Sequence, residues 1–160
     1  MPLLSPEINI LEKICTKVSK IIIRDFGEIE KLQVSKKGPG DFVTKTDKKV
    51  ESIIIEELEK ARPDYGFIAE ESGKNINDNE FNWVIDPIDG TSNFMHGIPH
   101  FAISIALEKK GEVISGIICD PIKNETFYAE KGRGSYVNNR RIRVSSRKNL
   151  DEIIGLYGCP

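Results

Sequence analysis

Residues 6–26 carry apolar side chains at the three- and four-residue spacing of an α-helix. Ser5 can cap the start of this helix, and Pro6 suits its first turn. Gly27 is expected to end it. One apolar stripe is formed by Ile8, Leu11, Ile14, Val18, Ile21 and Ile22. The pattern therefore predicts an amphipathic helix that packs on a core.

A second helix is expected over Asp47–Ala61, after a polar loop at 36–43 that contains two glycines and a proline. Thr46 is its expected N-cap, and Pro63 stops it. Its core face would consist of Val50, Ile53, Ile54, Ile55 and Leu58.

After the second helix, the spacing of the apolar residues changes from the helical period to the alternation that is typical of strands. Residues 101–107 alternate between large apolar and small side chains, which is typical of a half-buried strand. Shorter strands are expected at 65–69 and 82–85, with an exposed polar loop at 72–80 between them. Further strands and tight turns are expected at 109–112 (turn), 113–120 (strand), 125–129 (strand) and 138–139 (turn).

Helices followed by strands, without alternation of the two, predict an α+β fold. The two N-terminal helices would pack on one face of a mainly antiparallel sheet. The 160 residues suit a single domain with a real core.

Composition and charge narrow the functional classes. The net charge is −2, so nucleic acid is an unlikely partner and a membrane surface is not expected. A local basic cluster is interpreted as a solvated face and consists of Arg133, Arg140, Arg141, Arg143, Arg147 and Lys148.

Three scattered cysteines have no metal-binding spacing and suggest a reducing compartment; they are Cys15, Cys119 and Cys159. The N-terminus lacks the features of a signal peptide, and no apolar run reaches the ~18 residues of a membrane span. A cytoplasmic location is expected.

Candidate chemistry centres on Asp86-Pro87-Ile88-Asp89-Gly90-Thr91, which follows the apolar segment 83–85. Two carboxylates and a carbonyl on one tight turn supply the oxygen ligands that Mg²⁺ prefers. The N–H groups after Gly90, at the start of a short helix, could bind phosphate. An ordinary Asp-Pro and Asp-Gly turn explains this segment alone equally well.

Two weaker acidic segments accompany this turn. Glu70 and Glu71 follow a predicted strand, and repulsion between them favours a partner cation if either is buried. A solvated loop is the alternative. Asp41 and Asp47 are weaker still, and Asp47 is also explained as an acid in the first turn of a helix.

Taken together, the three segments resemble the inositol monophosphatase family in order and spacing. Residues 36–47 are similar to K-x-x-x-x-D-[FL]-V-T-x-x-D, and 69–72 to [GA]-E-E-S. Residues 83–94 are similar to W-x-[IV]-D-P-[IL]-D-G-T-x-N-F. The resemblance covers the whole chain and implies a Mg²⁺-dependent, lithium-sensitive phosphatase, with the N-terminal half of a layered αβαβα fold. Because the second half of the family fold would cover part of the sheet, its absence is expected to leave an apolar surface. We therefore expect self-association, as a dimer or another homo-oligomer, or a disordered C-terminus.

The resemblance also implies the roles of individual residues. One Mg²⁺ would be bound by Glu70, Asp86 and the carbonyl oxygen of Ile88, and a second by Asp86 and Asp89. The phosphate would lie against Ile88, Asp89, Gly90 and Thr91. Catalysis would use a hydrogen-bonded pair of Thr91 and Asp47 which, with Glu70, activates water. Supporting roles would fall to Lys36 and Asp41 on a mobile loop and to Glu71 outside the ligand set.

Several residues and segments qualify this expectation. His96 and His100 follow the turn, and both are interpreted as surface or structural histidines. The 160 residues contain no W-D-x-A-A-G segment, whose Asp would complete the second metal site in the family. Residues 1–160 are therefore expected to form only the N-terminal domain of the family fold. The substrate would be an inositol monophosphate. The alternative is an inactive module that binds metal, phosphate or a protein partner.

Overall fold

The computed structural model describes residues 4–33, 39–75, 79–149 and 151. Three helices are present in this part of the chain: α1 (Pro6–Gln33), α2 (Pro39–Ala61) and α3 (Thr91–Met95). Within it, no helix is long and apolar enough to cross a membrane.

Both long helices extend beyond their predicted bounds. α1 begins as expected, with the Ser5 Oγ accepting the N–H of Ile8 at 3.2 Å. It continues through Gly27, because one glycine costs a helix only ~1 kcal/mol and Ile29 adds a further buried side chain to the stripe. The prediction that Gly27 ends the helix is wrong.

The predicted loop at 36–43 is wrong from residue 39 onward, where α2 has already begun, and 36–38 lie outside the described residues. Val43 is buried and extends the apolar face of α2 by a turn. Thr46 is therefore inside the helix and not its N-cap. Its hydroxyl lies 3.1 Å from Oδ2 of Asp25 on α1 and 3.2 Å from the carbonyl oxygen of Phe42.

In the described ranges, eight strands form one sheet in the order β2-β1-β3-β4-β5-β6-β7-β8. Their bounds are β1 (Gly66–Ala69), β2 (Gly73–Asn75), β3 (Phe81–Asp89), β4 (Ala102–Lys109), β5 (Glu112–Asp120), β6 (Glu125–Glu130), β7 (Gly134–Val137) and β8 (Arg140–Ile142). All neighbours are antiparallel except β1 and β3, which run parallel. The predicted α+β fold with a mainly antiparallel sheet is confirmed.

Two local features differ from the predicted strands. β2 lies within the segment that was expected to be an exposed loop, and it pairs with β1 at the sheet edge. β3 does not end before Asp86 but continues to Asp89. The tight turns at 109–112 and 138–139 are confirmed by positive φ angles at Lys110, Gly111, Asn138 and Asn139.

The core lies between the two long helices and one face of the sheet. The two helices contact each other, with α1 against β5 and α2 against β3. Alternate residues of the central strands fill this space; they include Trp83, Ile85, Ile103, Ile105, Leu107, Ile117 and Cys119. Cys15 on α1 is also buried, as expected for a small apolar side chain, and Cys159 lies outside the described residues.

The opposite face of the sheet carries no helix in the described part of the chain. We call it the open sheet face. It is formed by Ser104, Ala106, Gly116, Ile118, Phe127, Ala129 and Ile142, which line one shallow hollow. Ile118, Phe127 and Ile142 are among its exposed side chains, so an apolar surface remains in contact with solvent.

Candidate active site

The parallel pairing of β1 with β3 brings the first two carboxylates together. Ala69 is in register with Ile85, and the N–H of Glu70 donates to the carbonyl oxygen of Ile85 at 3.3 Å. Glu70 comes directly after Ala69 in the sequence, and Asp86 comes directly after Ile85. Glu70 accordingly lies close enough to Asp86 to contribute to the raised pKa of that carboxyl group.

β3 changes register immediately after Asp86. Asp86 is opposite Ser104, whereas Asp89 is opposite Ala102, so the two intervening residues form a bulge. Pro87 has no N–H, which suits a position where regular pairing is interrupted. The bulge separates the partly buried Asp86 from the exposed Asp89 and places both on the same end of the sheet.

Gly90 turns the chain into α3 with a φ of 95°. A Cβ at this position would lie 3.1 Å from the carbonyl oxygen of His100 and 3.3 Å from Phe101, so both conformation and space require glycine. α3 has only five residues. Anion binding here would therefore depend on individual N–H groups, because so short a helix contributes little dipole.

Helix α2 supplies two further carboxylates from one face, since Asp47 and Glu51 are four residues apart. Both are buried, at 4% and 2% relative exposure. Glu51 accepts the N–H groups of Glu71 and Ser72, both at 2.8 Å. Asp47, by contrast, has a buried Oδ1 with no hydrogen-bond partner among the described residues.

The gathered carboxylates change each other's acidity. The pKa of Asp47 is raised to about 7, first by burial and then by the negative charges of Glu71, Glu70, Asp86 and Glu51, in that order. The pKa of Asp86 is likewise raised to about 7, first by burial and then by Glu70. Like charges at this density favour a compensating cation.

The donor atoms fit a hard divalent cation such as Mg²⁺. They are carboxylate oxygens and one backbone carbonyl. Oδ1 of Asp86, like that of Asp47, is buried without a partner in the part of the chain that the structure describes. Within the described ranges, however, no three acidic, histidine or cysteine side chains already adopt a metal-binding arrangement. The acidic side chains would therefore have to converge by rotamer changes on a backbone that is already in place.

The predicted phosphate and catalytic residues are only partly brought together. Gly90 and Thr91 lie at the start of α3, as expected. Thr91 was expected to form a hydrogen bond with Asp47, but in the structure its hydroxyl has a different partner. Its hydroxyl donates to the carbonyl oxygen of Ile88 at 2.8 Å, because this acceptor is three residues away on the same turn.

The remaining predicted residues lie at the margins. The backbone of Asp41 is in the first turn of α2, and Lys36 lies outside the described residues. Glu70 and Glu71 are exposed. His96 and His100 are exposed as well: a ring nitrogen of His96 lies 2.8 Å from the Ser92 carbonyl oxygen.

Sequence reasoning missed the buried acids that support the site. Glu51 and Asp25 each lie within an apolar stripe, and both accept hydrogen bonds across elements. The available signal was an acidic residue at a core position of each helix, because a buried carboxylate needs partners.

The family model described as "Inositol monophosphatase family" matches residues 3–160. The inositol-1-monophosphatase of Rhizobium meliloti is 50% identical over 155 residues, which are 96% of this chain and 58% of that protein. A protein of Xylella fastidiosa named Nus factor SuhB is 41% identical over 146 residues, covering 91% of this chain and 53% of the relative.

Solved structures agree with the sequence comparison. The extragenic suppressor protein suhB of Bartonella henselae superposes with a TM-score of 0.82 and 43% identity, over 92% of this chain and 58% of that one. The fold thus defines a chain of the α+β class to which this solved structure belongs. The chain belongs to the inositol monophosphatase family. It spans somewhat more than half the length of the relatives that it matches.

The raised pKa of Asp47 predicts how stability depends on pH in the absence of metal. The folded-state pKa of about 7 lies above the ordinary 3.8, so unfolding releases a proton between these values. Stability should therefore fall as the pH rises from about 4 to about 7. Asp47→Asn should remove the part of this loss that Asp47 causes, whereas Asp86, whose pKa is also raised to about 7, should retain its own part. Each pKa unit corresponds to ~1.4 kcal/mol. Because the charge is shared among neighbouring carboxylates, we expect Asp47→Asn to raise the free energy of unfolding by about 1–2 kcal/mol at pH 8.

The measurement is urea unfolding of both proteins at pH 4.5 and pH 8, with EDTA present. The exposed Asp64→Asn variant is the control, and its difference from the wild type should not change with pH. Equal stability of Asp47→Asn and the wild type at pH 8 would show that the carboxylate cluster is not strained.

Proposed function

We propose that this chain contributes the metal- and phosphate-binding part of a Mg²⁺-dependent phosphomonoesterase that hydrolyses inositol monophosphate. The observation that carries this proposal is the juxtaposition of Glu70 with Asp86, next to the Asp89-Gly90-Thr91 turn. A cluster of carboxylates that is partly buried costs folding energy, so its presence favours a role in binding a cation.

The proposed metal ligands are Glu70, Asp86, Asp89 and the carbonyl oxygen of Ile88. That carbonyl accepts the Thr91 hydroxyl and retains a second lone pair. When bound, Mg²⁺ would lower the pKa of a coordinated water and offset the charge of the phosphate. Glu70 and Asp89 both contribute to the raised pKa of Asp86, so Asp86 is near both carboxylates and would suit a ligand shared by two ions.

The chain's own groups would orient the reactants. Backbone N–H groups from Ile88 to Thr91 would donate to phosphate oxygens, and their fixed positions favour the charge that develops in the transition state. Glu70 and Asp47 would accept hydrogen bonds from the attacking water. Thr91 could join them by rotating its hydroxyl away from Ile88, as the proposed pairing with Asp47 requires.

The substrate would approach next to this turn. A hollow of about 430 Å³ lies beside Asp89 and Gly90 and is lined in part by Lys123 and Phe127. Residues 1–160 would act as the N-terminal domain. A W-D-x-A-A-G segment, which these residues lack, would supply the last carboxylate and the remaining wall of the pocket.

A second candidate function is a non-catalytic module that binds metal, phosphate or a protein partner. It is favoured by the relatives that bear the name Nus factor SuhB. The two candidates differ in whether any assembled form of the chain releases phosphate.

The first test measures phosphate released from inositol 1-phosphate with and without Mg²⁺, and with Li⁺ added as the expected inhibitor. The chain is assayed alone and with the C-terminal part of the Rhizobium meliloti relative. We expect Mg²⁺-dependent release in the completed form. Asp86→Asn should lower the rate by about 100-fold or more, because even a lost outer-shell partner typically costs ~10–100-fold.

Asp64→Asn makes the same chemical change at an exposed position and should leave the rate unchanged. Absence of turnover in every completed form would favour the non-catalytic module. Unchanged Mg²⁺ affinity of Asp86→Asn, measured by calorimetry, would refute the assigned metal ligands.

We also propose that the chain self-associates, as a dimer or larger homo-oligomer, through the open sheet face. Its apolar side chains include Ile118, of which 50% is exposed, and the adjacent Phe127. Contiguous apolar surface of this kind is uncommon on a monomer and favours association.

Ile118→Lys is therefore expected to shift the chain toward monomer in light scattering coupled to size-exclusion chromatography. Ile23→Lys is the matched control, because Ile23 is 45% exposed but lies on α1, away from the open sheet face. A monodisperse wild-type monomer at high concentration would contradict this proposal.

A further inference from the structure

Glu51 is the most deeply buried carboxylate of the described residues near the site, and none of the proposed metal or phosphate contacts uses it. It lies on α2, one turn after Asp47, with 2% relative exposure. Its Oε2 accepts the N–H of Glu71 and its Oε1 accepts the N–H of Ser72, each at 2.8 Å. Both oxygens thus bind consecutive backbone N–H groups.

These two hydrogen bonds fix the chain on one side of Glu70. On the other side, the N–H of Glu70 itself donates to the Ile85 carbonyl oxygen. The side chain of Glu70 is therefore exposed, whereas its backbone is held by hydrogen bonds at Glu70 itself and at the two residues that follow it. Its Cα cannot shift relative to Asp86 without breaking a hydrogen bond to α2 or to β3.

A carboxylate is the side chain best suited to this position. Two parallel N–H donors require two acceptor atoms, and a carboxylate offers two oxygens with no competing donor. A glutamine would turn its NH₂ group toward one of the N–H groups. The negative charge also lies beside Asp47, whose pKa it raises, so the charge is unfavourable there without a cation. The hydrogen bonds to the backbone of residues 71–72 explain why a glutamate occupies this position although its charge is unfavourable there.

We propose that Glu51 is a positioning residue that sets the location of the Glu70 carboxylate for binding a divalent cation. This inference rests on the proposed function, because it assigns Glu70 to the metal. Glu51 would act through the backbone of residues 70–72 and would not touch the cation. Outer-shell groups of this kind typically change metal affinity by ~10–100-fold.

Positioning can be separated from simple electrostatics by two substitutions. Glu51→Asp keeps the negative charge but shortens the side chain by one methylene, so it cannot reach both N–H groups. Glu51→Gln removes the charge but keeps the length and one acceptor. If only charge matters, the aspartate variant binds like the wild type and the glutamine variant is impaired. If positioning matters, the aspartate variant is impaired.

The experiment titrates the 160-residue chain with Mn²⁺, which takes similar oxygen ligands and is observed directly by electron paramagnetic resonance. We expect Glu51→Asp to weaken Mn²⁺ binding by about 10-fold or more. Amide hydrogen exchange of Glu71 and Ser72 should accelerate in the same variant. Glu59→Asp is the matched control, with the same substitution on an exposed face of α2, and should change neither measurement.

Each outcome decides the proposal. Weakened binding together with faster exchange at residues 71–72, in a variant whose circular dichroism shows a folded chain, supports it. Wild-type Mn²⁺ affinity in Glu51→Asp overturns it and leaves the proposed function intact. If Glu51→Asp does not fold, Glu51→Gln is measured in its place, and wild-type affinity together with accelerated exchange overturns the proposal. Absence of Mn²⁺ binding by the wild type overturns the proposed function and this inference together.

Discussion

The parallel pairing of β1 with β3 is the contact on which the site depends. Every other neighbouring pair in the sheet is antiparallel. Only parallel strands end on the same side, so the residues that follow Ala69 and Ile85 emerge together. Glu70 and Asp86 are brought side by side by backbone hydrogen bonds, although 16 positions separate them in the numbering. An antiparallel pairing of the same two strands would place them at opposite ends.

Repulsion among the carboxylates is the opposing force. Burial and the charges of Glu71, Glu70, Asp86 and Glu51 raise the pKa of Asp47 to about 7. Burial and the charges of Glu70 and Asp89 raise the pKa of Asp86 to about 7 as well. Such an arrangement is maintained only if the surrounding fold is strong enough to hold it. The core beneath it is continuous, with Trp83 and Ile85 on β3 packed under the helices. Charge on the acidic side chains therefore destabilises the folded state, and the packed core offsets this cost.

Many features of the fold and of the candidate site could be predicted from local patterns in the sequence. The helical stripes, the alternation at 101–107, the turn residues and the Asp86–Thr91 segment each gave a signal within a few neighbouring positions. The parallel pairing of β1 with β3 gave no such signal, because a short apolar strand carries no information on the direction of its partner. The helix bounds were misplaced at Gly27 and Thr46 because tertiary contacts outweighed local propensity. Glu51 was missed because its partners are backbone N–H groups 20 and 21 residues away.

Helix α2 links these features, since it both covers the core and carries the acids. Thr46 is hydrogen-bonded to Asp25 of α1, Asp47 faces the carboxylate cluster, and Glu51 holds the backbone after Glu70. A shift of α2 along its axis would break the contact with α1 and the contact with the 70–72 turn at once. The site is therefore rigid in its backbone while the side chains of Glu70 and Asp89 remain exposed. A rigid backbone with exposed acidic side chains suits cation binding, because only side-chain rotations are needed to complete the ligand set.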